Sequence, residues 1–277
     1  MVRISNKNLD LDSIAESGQC FRWKKTPDGY RVIAFGRILN MAPVPQEPFI
    51  ELDCTGQEYD RIWKDYLDMD TDYAGIIRCV PDEDLYLKEA AACGYGIRIL
   101  QQDPWETLIT FLISQRKNIP AIKQAVEKIC TAAGTKIGED LYAFPDPEQL
   151  ASLSLEDLKG CSLGYRAQYI QSTADAFARG AASMEKLSAM PDEELFQALC
   201  SFYGVGKKIA LCTMLFGFHR MDSFPVDVWM NRVAERRYRG EIPMERYSPW
   251  GGVMQQYMFA YERKLAETGG REKEVFQ

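Results

Sequence analysis

The chain contains no C-x-x-C pair. Its eight cysteines, Cys20, Cys54, Cys79, Cys93, Cys130, Cys161, Cys200 and Cys212, are scattered through 277 residues. A disulfide framework or a zinc site needs tighter spacing, so reduced and mostly buried thiols are expected. No cysteine follows Cys212, which excludes a C-terminal iron–sulfur cluster. No apolar run approaches the roughly 20 residues that span a bilayer. The first residues, MVRISNKNLDLDS, lack the apolar stretch of a signal peptide. There is no internal repeat and no low-complexity tract. These absences predict a cytosolic protein with no membrane partner and no zinc or iron–sulfur cofactor.

An excess of positive charge is also missing. The net charge is −7, and the isoelectric point is near 5. On its face that disfavours nucleic acid, whose phosphates attract lysine and arginine. The distribution says otherwise. From Lys207 to Arg239 there are seven basic residues (Lys207, Lys208, Arg220, Arg232, Arg236, Arg237 and Arg239) against three acids (Asp222, Asp227 and Glu235), a local balance of +4. Residues 51–89 are acid-rich instead. A basic face on an acidic protein predicts DNA binding that is weaker and more salt-sensitive than that of a uniformly basic binder.

What is present fits one large domain or two modest ones. Residues 20–54 predict strands: Phe21–Trp23, a Thr-Pro-Asp-Gly turn at 26–29, YRVIAF at 30–35, a break at Gly36, RILNMA at 37–42 and FIELDC at 49–54. Aromatic and β-branched runs between glycines and prolines give that signal, and short turns predict an antiparallel sheet. After Gly56 the apolar period becomes helical, with Tyr59, Ile62, Trp63, Tyr66 and Leu67 on one face. Asp103 and Pro104 read as an N-cap and first helical position. The next helix turns Ile122, Val126, Ile129 and Cys130 inward and stops near Gly134. Further helices are predicted at 155–159, 166–179, 192–200, 207–218, 227–237 and 245–267. The expected fold class is α+β: an N-terminal antiparallel β domain over 1–98, then an all-helical body over 99–277.

Two short segments carry chemistry. FYGVGKKIA (202–210) places Gly204 and Gly206 around Val205 between two helices. Glycines permit positive φ and close backbone approach, and the helix starting near Lys207 aims its first N–H groups into the turn, where a phosphate would bind. Alone, this is equally a plain helix–helix turn. FPVDVWMNR (224–232) places Asp227 just before a helical run, where it is equally a simple cap.

A hairpin, a lysine at its helix start and a Pro-Val-Asp helix start together resemble the helix–hairpin–helix DNA glycosylase superfamily, whose bifunctional members pair lysine with aspartate. More closely, LDLDSIAESGQCFRW (9–23), QQDPWETLITFLISQRKNI (101–119), LGYRAQY (163–169) and GVGKKIALC (204–212) resemble 8-oxoguanine DNA glycosylases, from about residue 9 to 263. The resemblance implies an enzyme that acts as a monomer on double-stranded DNA containing oxidised guanine. It assigns Lys208 as nucleophile and Asp227 as its acidic partner. The carbonyl of Gly18 would accept the N7–H that only the oxidised base carries. A normal guanine turns a lone pair there, a mismatch costing on the order of a few kcal/mol.

Cys212 and Phe259 match the residues that sandwich the everted base, and Gln255 the one that bonds its pyrimidine edge. Phe259 and Gln255 are one helical turn apart. Tyr165 and Arg166 match a wedge and a reader of the orphaned cytosine. Gly204, Val205, Gly206 and Lys207, with Arg116 and Asn118, complete the expected DNA contacts.

The pattern also departs from the family. Arg116 and Ala121 stand where many members carry asparagine and a second arginine, which implies a relaxed opposite-base preference. Trp229 replaces a common histidine, and the only histidine, His219, reads as incidental. A free lysine titrates at about 10.4, so burial and Lys207 are expected to favour the neutral amine of Lys208. The alternatives are a glycosylase for another lesion and a non-catalytic hairpin module. Cysteine placement speaks against the iron–sulfur members of the first class, and Lys208 against its alkylated-purine members. The second class leaves Lys208, Asp227 and Gly18 unexplained together.

Overall fold

A computed structural model describes residues 1–267 of the chain; the last ten residues of the expected helical body lie outside the described residues. The N-terminal part is a five-stranded sheet made of β1 (Val2–Ser5), β2 (Trp23–Thr26), β3 (Gly29–Ala34), β4 (Arg37–Pro43) and β5 (Phe49–Leu52), with α1 (Leu11–Glu16) after the first strand. Its order is β1-β5-β4-β3-β2, with every pair antiparallel. Phe35 and Gly36 both have positive φ, 51° and 69°. That backbone matches the right-handed twist of β3 and β4 and makes a two-residue hairpin. Val32, Leu39, Met41, Ile50 and Leu52 turn to one face and pack on Trp23, Trp63, Tyr66 and Leu67.

Next come α2 (Gly56–Glu58), a π-helical stretch over Tyr59–Trp63 and α3 (Lys64–Tyr66). The helical body contains α4 (Tyr73–Arg78), α5 (Leu85–Cys93), α6 (Pro104–Ser114) and α7 (Ile119–Ala133), then a hairpin of β6 (Lys136–Gly138) and β7 (Leu141–Tyr142). It continues through α8 (Pro147–Ala151), α9 (Leu155–Gly160), α10 (Arg166–Ala178), α11 (Met184–Ser188), α12 (Asp192–Cys200), α13 (Lys207–Phe216), α14 (Val228–Arg237) and α15 (Gly251–Glu267). The Asp103 cap is present, its carboxylate accepting from Trp105 N and Glu106 N at 2.8 and 3.0 Å. The last helix begins at Gly251 rather than 245, because Pro249 disfavours helical backbone at the residue before it.

The boundary expected at residue 98 does not match the packing. Tyr73, Ile76, Leu87, Ala90 and Ala91 sit in the core of the helical body, whereas Leu100 returns to the sheet's core. Gln19, buried in this joint, donates to the Arg98 carbonyl and accepts from Leu100 N, both at 2.8 Å. Gln102 Nε2 donates to the Gln19 carbonyl at 2.8 Å. These bonds fix the loop carrying Gly18 against the helices.

His219 is not incidental. Its Nε2 lies 3.4 Å from Asp68 Oδ2, and Asp68 also receives Tyr73 Oη at 2.7 Å and Thr71 Oγ1 at 2.8 Å. Burial pushes the Asp68 carboxyl up, but His219 and these hydroxyls outweigh it and hold it below its usual range. Among the described residues no helix is long and apolar enough to cross a membrane. All eight cysteines are free thiols, five of them buried.

Candidate active site and nucleic-acid interface

The hairpin begins where α12 ends. Gly204 has φ +85°, and a Cβ there would fall 2.4 Å from the Tyr169 ring, so only glycine fits. Gly206 caps α13 without a side chain, and a Cβ on it would meet nothing within 4 Å. The space beside the N-terminus of α13 is therefore open, as a phosphate requires. Val205 is buried beneath the turn, and Lys207 and Lys208 are exposed. The burial of Lys208 expected from sequence is therefore absent in the free protein.

Cys212 stands one turn after Lys208 and is buried. Burial pushes its thiol up to about 12; Lys208 opposes that shift and Asp227 adds to it. Asp227 caps α14, its Oδ1 accepting from Trp229 N at 2.9 Å and Met230 N at 3.0 Å. Capping anchors one oxygen and leaves the half-buried carboxylate oriented. The two readings of Asp227 are compatible.

Trp229 meets Phe259 at 82°, ring centroids 6.5 Å apart, and Arg232 lies 5.3 Å from the Trp229 ring centroid. Phe259 in turn faces Gly18. A Cβ built on Gly18 would lie 3.5 Å from Phe259 Cε1 and 3.9 Å from Ile119 Cδ1. Among the described residues nothing donates to the Gly18 carbonyl. The path Asp227–Trp229–Phe259–Gly18 is continuous, although its ends are far apart in sequence. Gln255, on the same helix as Phe259, is buried, and its carbonyl oxygen already accepts from Gln256 Nε2 at 3.0 Å. Only its amide end is uncommitted.

Other expected contacts are placed differently. Tyr165 is exposed, but Arg166 is buried. Its Nε donates to the Gln115 carbonyl at 2.8 Å and its Nη1 to the Leu163 carbonyl at 3.2 Å. An arginine so committed does not reach for an orphaned base in this conformation. Asn118 is the N-cap of α7, accepting from Ala121 N at 2.9 Å. Arg116 is exposed with φ +51° at the end of α6.

Sequence reasoning missed Ile119 against Gly18. It also missed Arg263, whose guanidinium lies 5.9 Å from the Phe259 ring centroid and donates to the Glu16 carbonyl. The helical spacing of Phe259 and Arg263 was the available signal. A cleft of about 540 Å³ lies elsewhere, lined by Phe35, Arg61, Tyr66, Gln102, Phe218 and His219 among others; it does not include the lysine or its partners.

A family model described as the 8-oxoguanine DNA glycosylase N-terminal domain matches residues 1–108. One for HhH-GPD superfamily base excision DNA repair proteins matches residues 109–244. The chain is 29% identical over 269 residues to the N-glycosylase/DNA lyase of Saccharomyces cerevisiae, covering 85% of this chain and 70% of that protein. It superposes on the Clostridium acetobutylicum 8-oxoguanine glycosylase/lyase, solved with double-stranded DNA containing cytosine opposite 8-oxoG, with TM-score 0.88 and 31% identity over 94% of this chain and 93% of that one. On MBOgg1, solved with a low-affinity DNA ligand, the TM-score is 0.89 at 35% identity, covering 95% and 94%. With such identity sustained over nearly its whole length, on a sheet-plus-hairpin fold, the chain belongs to the 8-oxoguanine DNA glycosylase family of the HhH-GPD superfamily.

Proposed function

We propose that this chain excises 8-oxoguanine from duplex DNA and then incises the resulting abasic site, with Lys208 as nucleophile. The carrying observation is that Lys208 opens the helix bearing Cys212, while Asp227 leads through Trp229 and Phe259 to the unclaimed carbonyl of Gly18. The everted nucleoside would lie between them. Its N7–H would donate to the Gly18 carbonyl, and Phe259 and Cys212 would flank the ring. The uncommitted amide end of Gln255 would meet its pyrimidine edge.

The neutral amine of Lys208 then attacks C1′. The N–C1′ bond forms as the C1′–N9 bond breaks, and the electron pair leaves with the base. Asp227 stabilises positive charge developing on the sugar and takes the amine proton. Ring opening gives a Schiff base. Loss of a C2′ proton expels the 3′ phosphate and nicks the strand. With Lys208 exposed in the free protein, desolvation of the amine falls to the bound DNA. Gly204, Val205, Gly206 and Lys207 hold the backbone, and Tyr165 fills the vacated stack. The place of work is wherever the DNA lies, the cytoplasmic nucleoid in a prokaryote.

Borohydride reduction tests the chemistry. A covalent protein–DNA adduct is expected on an 8-oxoguanine duplex and is expected to vanish, with excision, in Lys208→Gln. Persistence of adduct and excision in that variant overturns the assignment of the nucleophile.

A further inference from the structure

Wedge and hairpin are joined by rings that the chemistry does not use. Tyr169 lies one turn after Tyr165 on α10 and is half-buried. Its ring is edge-on to Tyr165, with centroids 5.7 Å apart at 74°, and to Tyr203, 4.7 Å apart at 82°. Both neighbours are exposed, Tyr165 at 48% and Tyr203 at 57%. The 2.4 Å approach of a built Gly204 Cβ to the Tyr169 ring shows the hairpin turn lying directly against it.

A second path links the same parts. Gln115 Nε2 donates to the Gly204 carbonyl at 3.3 Å. The Gln115 carbonyl accepts from Arg166, whose guanidinium lies 4.4 Å from the Tyr165 ring centroid. The contacts close into a ring: Tyr165, Tyr169, the Tyr203–Gly204 turn, Gln115, Arg166 and back to Tyr165.

We propose that Tyr169 is a positioning residue that locks Tyr165 to the Gly204–Gly206 hairpin, so that backbone capture and nucleotide extrusion act as one rigid step. This rests on the reading of Tyr165 as the wedge. A solvent-exposed tyrosine turns freely about its side-chain torsions, and a wedge that gives way does not hold a base pair open. Edge-on contact with Tyr169 and the guanidinium of Arg166 both restrain it. Hairpin and wedge then present a fixed spacing to the duplex, which is what accurate positioning demands. Arg166 takes the part of a brace here, which accounts for its burial.

The test uses the full chain under single-turnover conditions at saturating protein. Excision is followed on an 8-oxoguanine:cytosine duplex, and extrusion by the fluorescence of 2-aminopurine placed beside the lesion. Tyr169→Leu is expected to slow excision by roughly threefold to tenfold, the loss of one or two aromatic pairs, and to reduce the extrusion signal. Tyr169→Phe keeps the ring and is expected to restore both. In a Tyr165→Ala background Tyr169→Leu is expected to add nothing, since it acts through that ring.

Wild-type extrusion in Tyr169→Leu, or losses that multiply with Tyr165→Ala, overturn the proposal. If Tyr165→Ala itself extrudes normally, the wedge reading fails and the proposal with it. If Tyr169→Leu does not fold, Tyr203→Ala at the exposed end of the stack carries the same cycle: a loss that disappears in the Tyr165→Ala background supports the lock, and no loss or a multiplying one overturns it.

Discussion

Adding one methyl group at Gly18 separates fold from recognition. The residue has φ +76°, where a side chain costs roughly 1–2 kcal/mol. Alanine also restricts the unfolded chain, which returns about 0.4–1 kcal/mol. The new Cβ would sit 3.5 Å from Phe259 Cε1, 3.6 Å from Cζ and 3.9 Å from Ile119 Cδ1, ordinary contact distances that force nothing to move. Gly18→Ala should therefore lose only about 1 kcal/mol, a fall in Tm of roughly 2–4 °C for a chain of this size. The same methyl occupies the gap where an everted base would lie against Phe259. Excision of 8-oxoguanine should drop by on the order of a hundredfold or more, the scale on which a misplaced reactant loses rate. Incision of a preformed abasic site, which inserts no base, should fall far less. The assays are thermal unfolding beside single-turnover kinetics on the two substrates. Excision at the wild-type rate would show that no base comes to rest at Gly18. Equal losses on both substrates would point to a displaced loop instead.

Asp227→Asn keeps an oxygen for the α14 cap and removes the charge, so Tm should hardly move while excision falls steeply; Asp227→Ala should in addition lose about 1 kcal/mol of stability, and an Asn variant with full activity would refute the electrostatic role. Asp68 is held below its usual range, so it stabilises the fold above roughly pH 4 and that contribution is lost as pH falls through its folded value. The Tm gap between wild type and Asp68→Asn should be largest near neutrality and close in acid, and a gap independent of pH would contradict this. With Arg116 and Ala121 as they stand, 8-oxoguanine opposite adenine should be excised within about tenfold of the rate opposite cytosine, and a far larger preference for cytosine would show that another group reads the orphaned base.

Strands β2 to β5 and helices α6, α7, α9, α10, α12, α13 and α14 are legible in the sequence because their signals are local: turn glycines, an aspartate before a proline, an apolar face of fixed period. Strand β1 is not. Its partner is β5, so no turn announces it, and its four residues bury a single side chain well. Helices α4 and α5 fall within the expected first domain because the link from sheet to helices carries no break in composition; only packing assigns them.

The site divides in the same way. Lys208, Asp227 and the hairpin glycines announce themselves through helix starts. The burial of Arg166 is not legible, since its partners are main-chain carbonyls that no side-chain pattern reveals. Gly18 and Phe259 meet through tertiary structure alone, and the exposure of Lys208 follows from how shallowly the N-terminus of α13 is set.

The double duty of Asp227 has an evolutionary corollary. Folding asks position 227 for an acceptor at the start of α14, whatever becomes of the reaction. Descendants of this gene that had stopped cutting DNA would be free to discard Lys208, yet should retain asparagine, serine or threonine at 227. Retirement from catalysis would thus leave a lopsided scar, with one half of the pair erased and the other merely neutralised.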